Sequence, residues 1–336
     1  MKIKFLKAGS GDCILIHTNG QNILIDGGDN SDILFQQIDE IYNNGKVLDL
    51  LVITHHDQDH IKGVLELLRK VGSGVYGDPK RFIKKVYFNS PRKILSKDIP
   101  EDINSLSYIQ AFETEKIISK LQLDWETCTE ESALLKFGRT TLKFLSPRID
   151  DIQAYSSAKG AYLTNEARSD WSSDLEQLKK HVDDISLDKS IPNLTSIVIL
   201  VEHKSKKILL TGDVTPSRFS DLLNALTDIE NGQKLTIDYL KLPHHGSYKS
   251  ISKDIFERIQ CSNYIISTNS KKYKHPNKRA IVKVLCYSNI TDKPIRFFFN
   301  HGEIIDLMNI SFLESERNNF QLIPNNKDYG IELSNF

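Results

Sequence analysis

The segment Thr54-His55-His56-Asp57-Gln58-Asp59-His60 places five metal-competent side chains within six positions, directly after the apolar run Leu50, Leu51, Val52, Ile53. A strand that ends in imidazoles and carboxylates must satisfy them with a cation or a dense hydrogen-bond network, because uncompensated burial of such groups is costly. Three later segments follow strand-like runs in the same way: Thr211 to Val214 (TGDV), Pro243 to Ser247 (PHHGS) and Lys274 to Pro276 (KHP). Together the imidazoles and carboxylates suffice for two divalent cations sharing a bridging carboxylate, an arrangement in which a hydroxide attacks and a metal stabilises the leaving oxygen. The chain contains no GxSxG motif, so a metal-bound hydroxide is the expected nucleophile.

Such clusters work when an α/β layered core holds them at the carboxyl ends of strands. Residues 2 to 26 read as a strand meander: Ile3 to Leu6, Ile14 to His17, an Asn19-Gly20 turn, and Ile23 to Asp26. Ile61, Val64, Leu65, Leu67 and Leu68 give 61 to 71 a helical period, and Phe82 to Phe88 reads as a strand. A helix over 107 to 122 and a hairpin over 134 to 145, turning at Gly138-Arg139, follow. Residues 148 to 190 turn polar, with one helical stretch from Ser173 to Ile185, and read as an insertion or lid. Strands Ser196 to Glu202 and Lys207 to Thr211 lead into an alternation: helix 215 to 227, strand 236 to 241, helix 251 to 258, strand 263 to 267, helix 277 to 286 and strand 295 to 299. We expect one domain over 1–300, with 301–336 as its short C-terminal β extension.

Composition is that of a globular chain: 336 residues, 39% hydrophobic, 26% charged, with 44 acidic and 44 basic side chains. Any attraction to phosphate must therefore be local, as at Lys271, Lys272, Lys274, Lys278 and Arg279 around His275, a run that reads equally as a solvated helix start. The cysteines at 13, 128, 261 and 286 form no CxxC pair, so neither a structural disulfide nor a thiolate zinc site is expected. The N-terminus lacks the apolar core of a secretory signal and no window approaches ~18 apolar residues. The expected compartment is the cytoplasm.

The ordered motifs AGSGD (Ala8 to Asp12), LIDGG (Leu24 to Gly28), THHDQDHIKG (Thr54 to Gly63), NLTSIVIL (Asn193 to Leu200), LLTGD (Leu209 to Asp213), LPHHGS (Leu242 to Ser247) and KHP resemble the metallo-β-lactamase superfamily. More narrowly they resemble the soluble hydrolase domain of ComEC-type DNA-uptake proteins. The resemblance runs from residue 2 to about 300 and implies an α/β fold, the αββα sandwich, with a dinuclear hydrolase centre and, for the narrower group, nuclease activity. Carried over residue by residue, it implies His55 and Asp57 on a first metal, Asp59 and His60 on a second, Asp213 as bridge, and Asp26 orienting from behind. One of His244 and His245 completes the second site; the spacing to Ser247 favours His245. His275 contacts the second metal or the scissile phosphate, or is a helix-start histidine held by Pro276. Asp59, His60, Asp213 and His275 are thus the implied catalytic set.

Two departures remove imidazole from the first site: Asp57 where the superfamily has His, and Asn193 where another His ligand is usual. Oxygen ligands shift the preference from zinc toward manganese or magnesium. Lys62 replaces the first Gly after the motif and either contacts phosphate or is an exposed helix residue. Lys274, Ser247 and Ser250 are candidate phosphate contacts, the serines alternatively helix caps. His17, His181, His203 and His301 read as ordinary histidines. Three functions compete: a metal-dependent phosphodiesterase cutting nucleic acid, DNA above all; a hydrolase of a small ester, lactone or cyclic nucleotide; and a partner-binding module that has lost turnover. Balanced charge favours the second, the basic run and oxygen-rich site favour the first, and the presence of His55, Asp59, His60, Asp213 and His245 counts against the third. Lacking membrane spans, the chain is not expected to import DNA through a channel of its own. It acts alone or with a separately encoded partner, for which the polar insertion is the candidate surface.

Overall fold

The structure is a computed structural model and describes residues 1–90, 93, 106–157, 169–183, 187–227, 233–272, 274–288, 290, 293–308 and 319–334. Its strands in chain order are β1 (Lys2–Leu6), β2 (Ile14–Thr18), β3 (Gln21–Ile25), β4 (Leu50–Ile53), β5 (Val86–Phe88), β6 (Trp125–Glu126), β7 (Leu135–Phe137), β8 (Thr140–Ser146), β9 (Val198–His203), β10 (Lys206–Leu210), β11 (Leu235–Thr236), β12 (Tyr239–Lys241), β13 (Ile259–Gln260), β14 (Asn263–Ile266), β15 (Ile295–Phe299), β16 (Phe320–Ile323) and β17 (Gly330–Ser334). They form a seven-stranded sheet in the order β17-β1-β2-β3-β4-β5-β6 and an eight-stranded sheet in the order β16-β15-β14-β12-β10-β9-β8-β7, with β11 and β13 pairing apart.

The apolar residues sort into three clusters, and these reveal the layers. Ile3, Phe5, Ile16, Ile23, Ile25 and Val52 from the first sheet meet Phe144, Ile199, Val201, Ile208 and Leu210 from the second, filling the space between the sheets. Their strand neighbours Leu6, Leu15, Leu24, Leu51 and Ile53 point the other way and pack on Leu34, Ile38, Ile61, Val64 and Leu68 of two helices, Asp32–Asn43 and Gln58–Gly72. On the far side Leu200, Leu209, Leu240, Tyr264 and Phe297 pack on Phe219, Leu222, Ile255, Ile281 and Val284. Because side chains alternate along a strand, a sheet covered on both faces reads as an unbroken apolar run, which is what Leu50 to Ile53 is. The result is the αββα sandwich implied by the sequence motifs.

Helix, sheet and loop meet most tightly where the helix Gln58–Gly72 begins. Gly27 N donates to His60 O at 2.9 Å and Gly63 N to Gly28 O at 2.9 Å, so the helix rests backbone on backbone against the turn after β3. A Cβ on Gly63 would lie 2.0 Å from Gly27 O, and one on Gly27 would lie 2.4 Å from Val64 N. Only glycine fits at either position.

Several sequence expectations need correction. The strand expected over Phe82 to Phe88 shrinks to Val86–Phe88, because Pro79–Phe82 forms a helical turn capped by the Asp78 side chain. The helix Asp32–Asn43 was not anticipated, although Leu34, Ile38 and Ile41 line its buried face. The strand expected over 236 to 241 splits into β11 and β12, which belong to different sheets. The polar insertion carries two helices among the described residues where one was expected, Ile149–Ser157 and Leu175–Lys180, and Ile185 falls outside the described residues. The tail begins with a helix, Glu303–Leu307, before its strands, and those strands close both sheets: β17 pairs antiparallel with β1, and β16 parallel with β15.

The glycine contact yields a stability prediction. Gly63→Ala should lower stability by about 3 kcal/mol, since the clash is with backbone that cannot rotate away, and Tm should fall by several degrees. Gly72→Ala meets only the flexible Leu121 side chain, at 3.3 Å, and should change Tm little. Equal Tm values for the two variants in thermal unfolding would contradict this packing.

Candidate metal centre

Four strand ends of the two sheets deliver the polar cluster. β4 ends at Ile53, Thr54 to Asp57 turn the corner, and extended Asp57 (φ −63°, ψ 143°) opens the helix that carries Asp59 and His60. Asp26, just after β3, is completely buried, accepts from Thr54 N at 2.8 Å and from Thr54 Oγ1 at 2.6 Å, and lies 2.8 Å from His60 Nδ1. A carboxylate there holds the proton on Nδ1 and leaves the Nε2 lone pair facing outward. Asp213 follows β10 through Gly212, and its backbone N–H donates to Ser196 Oγ at 3.0 Å. After β12, His244 (φ 48°) and His245 (φ 55°) both adopt the left-handed conformation, followed by Gly246 (φ 84°). Two successive non-glycine residues in that region are strained, and the twist turns both imidazoles toward Asp213.

The donor atoms converge in two groups. His245 Nε2 lies 3.2 Å from His60 Nε2, 3.4 Å from Asp59 Oδ2 and 3.3 Å from Asp213 Oδ2. A tetrahedral ion with bonds of ~2.0–2.1 Å separates its ligands by about 3.3–3.4 Å, so the spacing matches the edges of such a site. On the other side of Asp213, His55 Nε2 lies 3.8 Å from Asp57 Oδ2 and 3.9 Å from Asp213 Oδ2. Asp12, His60, Asp213 and His245 also offer ligand atoms all within 4.8 Å of one another. His245 Nδ1 turns away from the cluster, 3.7 Å from Asp12 Oδ1, while His55 Nε2 and Asp213 Oδ1, which face it, are buried without a hydrogen-bond partner among the described residues. Such atoms would be costly to bury unless a cation completed them, so this donor set fits divalent metal.

Charge crowding points the same way. Burial alone would raise the Asp213 carboxyl, yet the imidazoles of His245, His60 and His244 outweigh it and hold the group well below the usual range. Burial, then the neighbouring Asp59 and Asp213 carboxylates, push Asp57 up to about 7. A cation between these groups would relieve that repulsion without a proton.

The structure also contributes residues to which sequence reasoning gave no role. Lys241 is fully buried, 2.5 Å from Asp12 Oδ2 and 3.6 Å from Asp213 Oδ1, and donates to Gly212 O at 2.9 Å. The only sequence signals were a lysine inside an apolar strand and the AGSGD turn that carries Asp12. Asn193 does not reach Asp213; its Nδ2 lies 2.6 Å from Asp188 Oδ2 and 3.3 Å from His244 Nδ1. His275 packs its ring 5.1 Å from that of His244, and burial lowers its pKa to about 3, so it is neutral. Lys62 points away from the cluster, donating to Asp29 O at 2.9 Å and lying 3.8 Å from Glu66. Ser247 is buried, and its backbone N–H donates to His244 O at 2.8 Å. The basic run divides: Lys278 and Arg279 give their backbone N–H groups to Asp170 of the insertion, at 2.9 and 2.8 Å, while Lys272 Nζ lies 2.6 Å from Gln58 Oε1 beside the metal motif. Lys274, partly exposed with φ 57°, lies between these two parts of the run.

No helix among the described residues is long and apolar enough to cross a membrane. Comparison with known proteins gives a family model match, to the metallo-beta-lactamase superfamily, over residues 6–88. Among curated proteins, the chain is 27% identical over 95 residues to ComE operon protein 3 of Bacillus subtilis, covering 28% of this chain and 12% of that protein. It is 34% identical over 80 residues to exodeoxyribonuclease WalJ of Streptococcus pneumoniae, covering 24% of this chain and 30% of that one. Among solved structures, zinc-bound PqqB from Methylobacterium extorquens aligns with a TM-score of 0.45 at 10% identity, covering 99% of both chains. A diphosphatase of the PhnP family aligns at 0.42 and 11% identity, covering 99% of this chain and 96% of that one. Residues 6–88 thus match the metallo-beta-lactamase superfamily model, the chain spans less than a third of the length of the curated relatives it matches, and a candidate Asp and His metal cluster sits at the edge of the sandwich.

Proposed function

We propose that this protein is a metal-dependent phosphodiesterase that cuts nucleic acid, with DNA as the substrate. The observation that carries the choice of a polyanion is the position of the basic loop: Lys272 reaches Gln58, between the two acidic residues of the metal motif, in a chain whose overall charge is zero. The partial likeness to an exodeoxyribonuclease supports the same reading. In this proposal His55 and Asp57 would hold one cation, Asp59, His60 and His245 would hold the other, and Asp213 would serve both. Manganese, magnesium and zinc all suit such a mixture of oxygen and nitrogen donors. When bound, the cations supply Lewis acidity toward phosphoryl oxygens and make a water molecule acidic enough to attack at neutral pH. The protein's own part is positional: Asp26 fixes the His60 tautomer, Lys241 holds Asp12 and Asp213 in register, and neutral His275 faces the scissile phosphate as a hydrogen-bonding partner. Lys271, Lys272 and Lys274 guide the backbone of the nucleic acid toward the cluster. Lys62, tied to Asp29 and Glu66, has the weakest claim to a phosphate contact.

Two predictions test the proposal. Elemental analysis of metal-loaded protein should give close to two equivalents, and Asp59→Ala or His60→Ala should lower hydrolysis at least ~1000-fold, about 4 kcal/mol of transition-state stabilisation, with an unchanged circular dichroism spectrum. Metal content near zero in the wild type, or wild-type rates in either folded variant, would overturn the ligand set. Neutralising Lys271, Lys272 and Lys274 together should weaken DNA binding and flatten its salt dependence, by a log-log slope of ~0.7–0.9 for each phosphate that a lysine no longer neutralises. Turnover of a small chromogenic phosphodiester should fall far less. If the triple variant cuts DNA like wild type at every salt concentration, or if only a lactone or cyclic nucleotide is hydrolysed, the small-molecule reading replaces this one.

A further inference from the structure

The polar insertion ends in a group that reaches the metal cluster. Asp188 is held in place by two segments: its backbone N–H donates to Lys249 O, in the turn after His245, at 2.9 Å, and its Oδ1 accepts from Ser190 N of its own loop at 2.9 Å. That leaves Oδ2 to receive Asn193 Nδ2 at 2.6 Å and to stand 3.4 Å from His244 Nδ1. An imidazole whose Nδ1 faces a carboxylate carries its proton there and turns Nε2 outward as a lone pair. His244 Nε2 lies 3.9 Å from Asp213 Oδ2, the same distance from that oxygen as His55 Nε2. The left-handed backbone at 244, whose N–H donates to Gly212 O at 3.1 Å, is what aims the ring there.

From this geometry we infer that His244 is the imidazole ligand of the first cation, and that Asp188 and Asn193 are its positioning residues. The inference rests on the metal centre proposed above. It reads Asn193 differently from a missing ligand: position 193 does not bind metal but fixes Asp188, which in turn fixes the histidine that does. The tandem His244-His245 then serves both cations, one imidazole to each side of Asp213, and the insertion becomes part of the metal centre. Asp188 contacts no cation itself and acts through His244 alone.

The test is a calorimetric titration of metal-free protein with Mn²⁺, with unfolding temperature recorded for each variant. Wild type should bind two equivalents. Asp188→Ala should keep one tight equivalent and weaken the other by ~10–100-fold, the range found when a partner that orients a ligand is removed, and His244→Ala, which removes the ligand itself, should weaken that equivalent at least as much. Asp188→Asn, which can still accept from Ser190 N, should keep the wild-type unfolding temperature and show the same selective weakening. In the metal-free protein, nitrogen-15 spectra should show His244 protonated on Nδ1 in wild type, and a tautomer mixture in Asp188→Asn. Two unaltered equivalents in the folded Asp188 variants, or equal weakening of both, overturns the inference while leaving the dinuclear centre standing. A wild type that binds no Mn²⁺ overturns the centre and the inference together.

Discussion

The contact between Gly27 and Gly63 is where fold and chemistry become one constraint. It lets a helix touch the end of a strand with no side chain between them, and two backbone hydrogen bonds from the Gly27–Gly28 turn lock it there. The closeness brings His60, in the first turn of that helix, within 2.8 Å of Asp26 at the end of β3. Had either residue carried a Cβ, the helix would stand off and the buried pair would separate. Gly11 is part of the same arrangement, since a Cβ there would fall 1.8 Å from Asp59 O. The β1–β2 loop, the end of β3 and one helix start are thereby pressed together at one edge of the sandwich.

That edge concentrates charge. Asp12, Asp26, Asp59 and Asp213 are all buried, and Lys241 is the one lysine among the described residues drawn into contact with two of them. Imidazoles meet the remaining carboxylate oxygens at distances that suit shared coordination better than direct hydrogen bonds. Rigid preorganisation of this kind carries a cost in folding stability, which a bound ion offsets by mass action. Metal affinity and stability are therefore linked in this account.

Much of this is readable in the sequence because the motifs are local. His55 to His60 follow a strand in one unbroken stretch, and the order of strands and helices after residue 195 announces a layered α/β chain. What escapes the sequence has a common physical cause: it depends on contacts between distant segments. Lys241 gives no sign of its role until its partner at Asp12 is in view. Asn193 reads as a missing ligand because its partner, Asp188, sits in a polar stretch that reads as a lid. Lys278 and Arg279 read as part of a phosphate-binding run, yet Asp170 binds their backbone N–H groups from the insertion. The helix Asp32–Asn43 is the exception, since Ser31 at its start and the apolar face of Leu34, Ile38 and Ile41 are local signals.

The most direct test of the central claim is a crystal structure of manganese-loaded protein measured at the metal's absorption edge. The account predicts an anomalous peak bounded by Asp59, His60, His245 and Asp213, each donor about 2.0–2.2 Å from it, and a second peak across Asp213 beside His55. Absence of any peak in that cluster from fully loaded protein, or metal held only elsewhere on the chain, would contradict it.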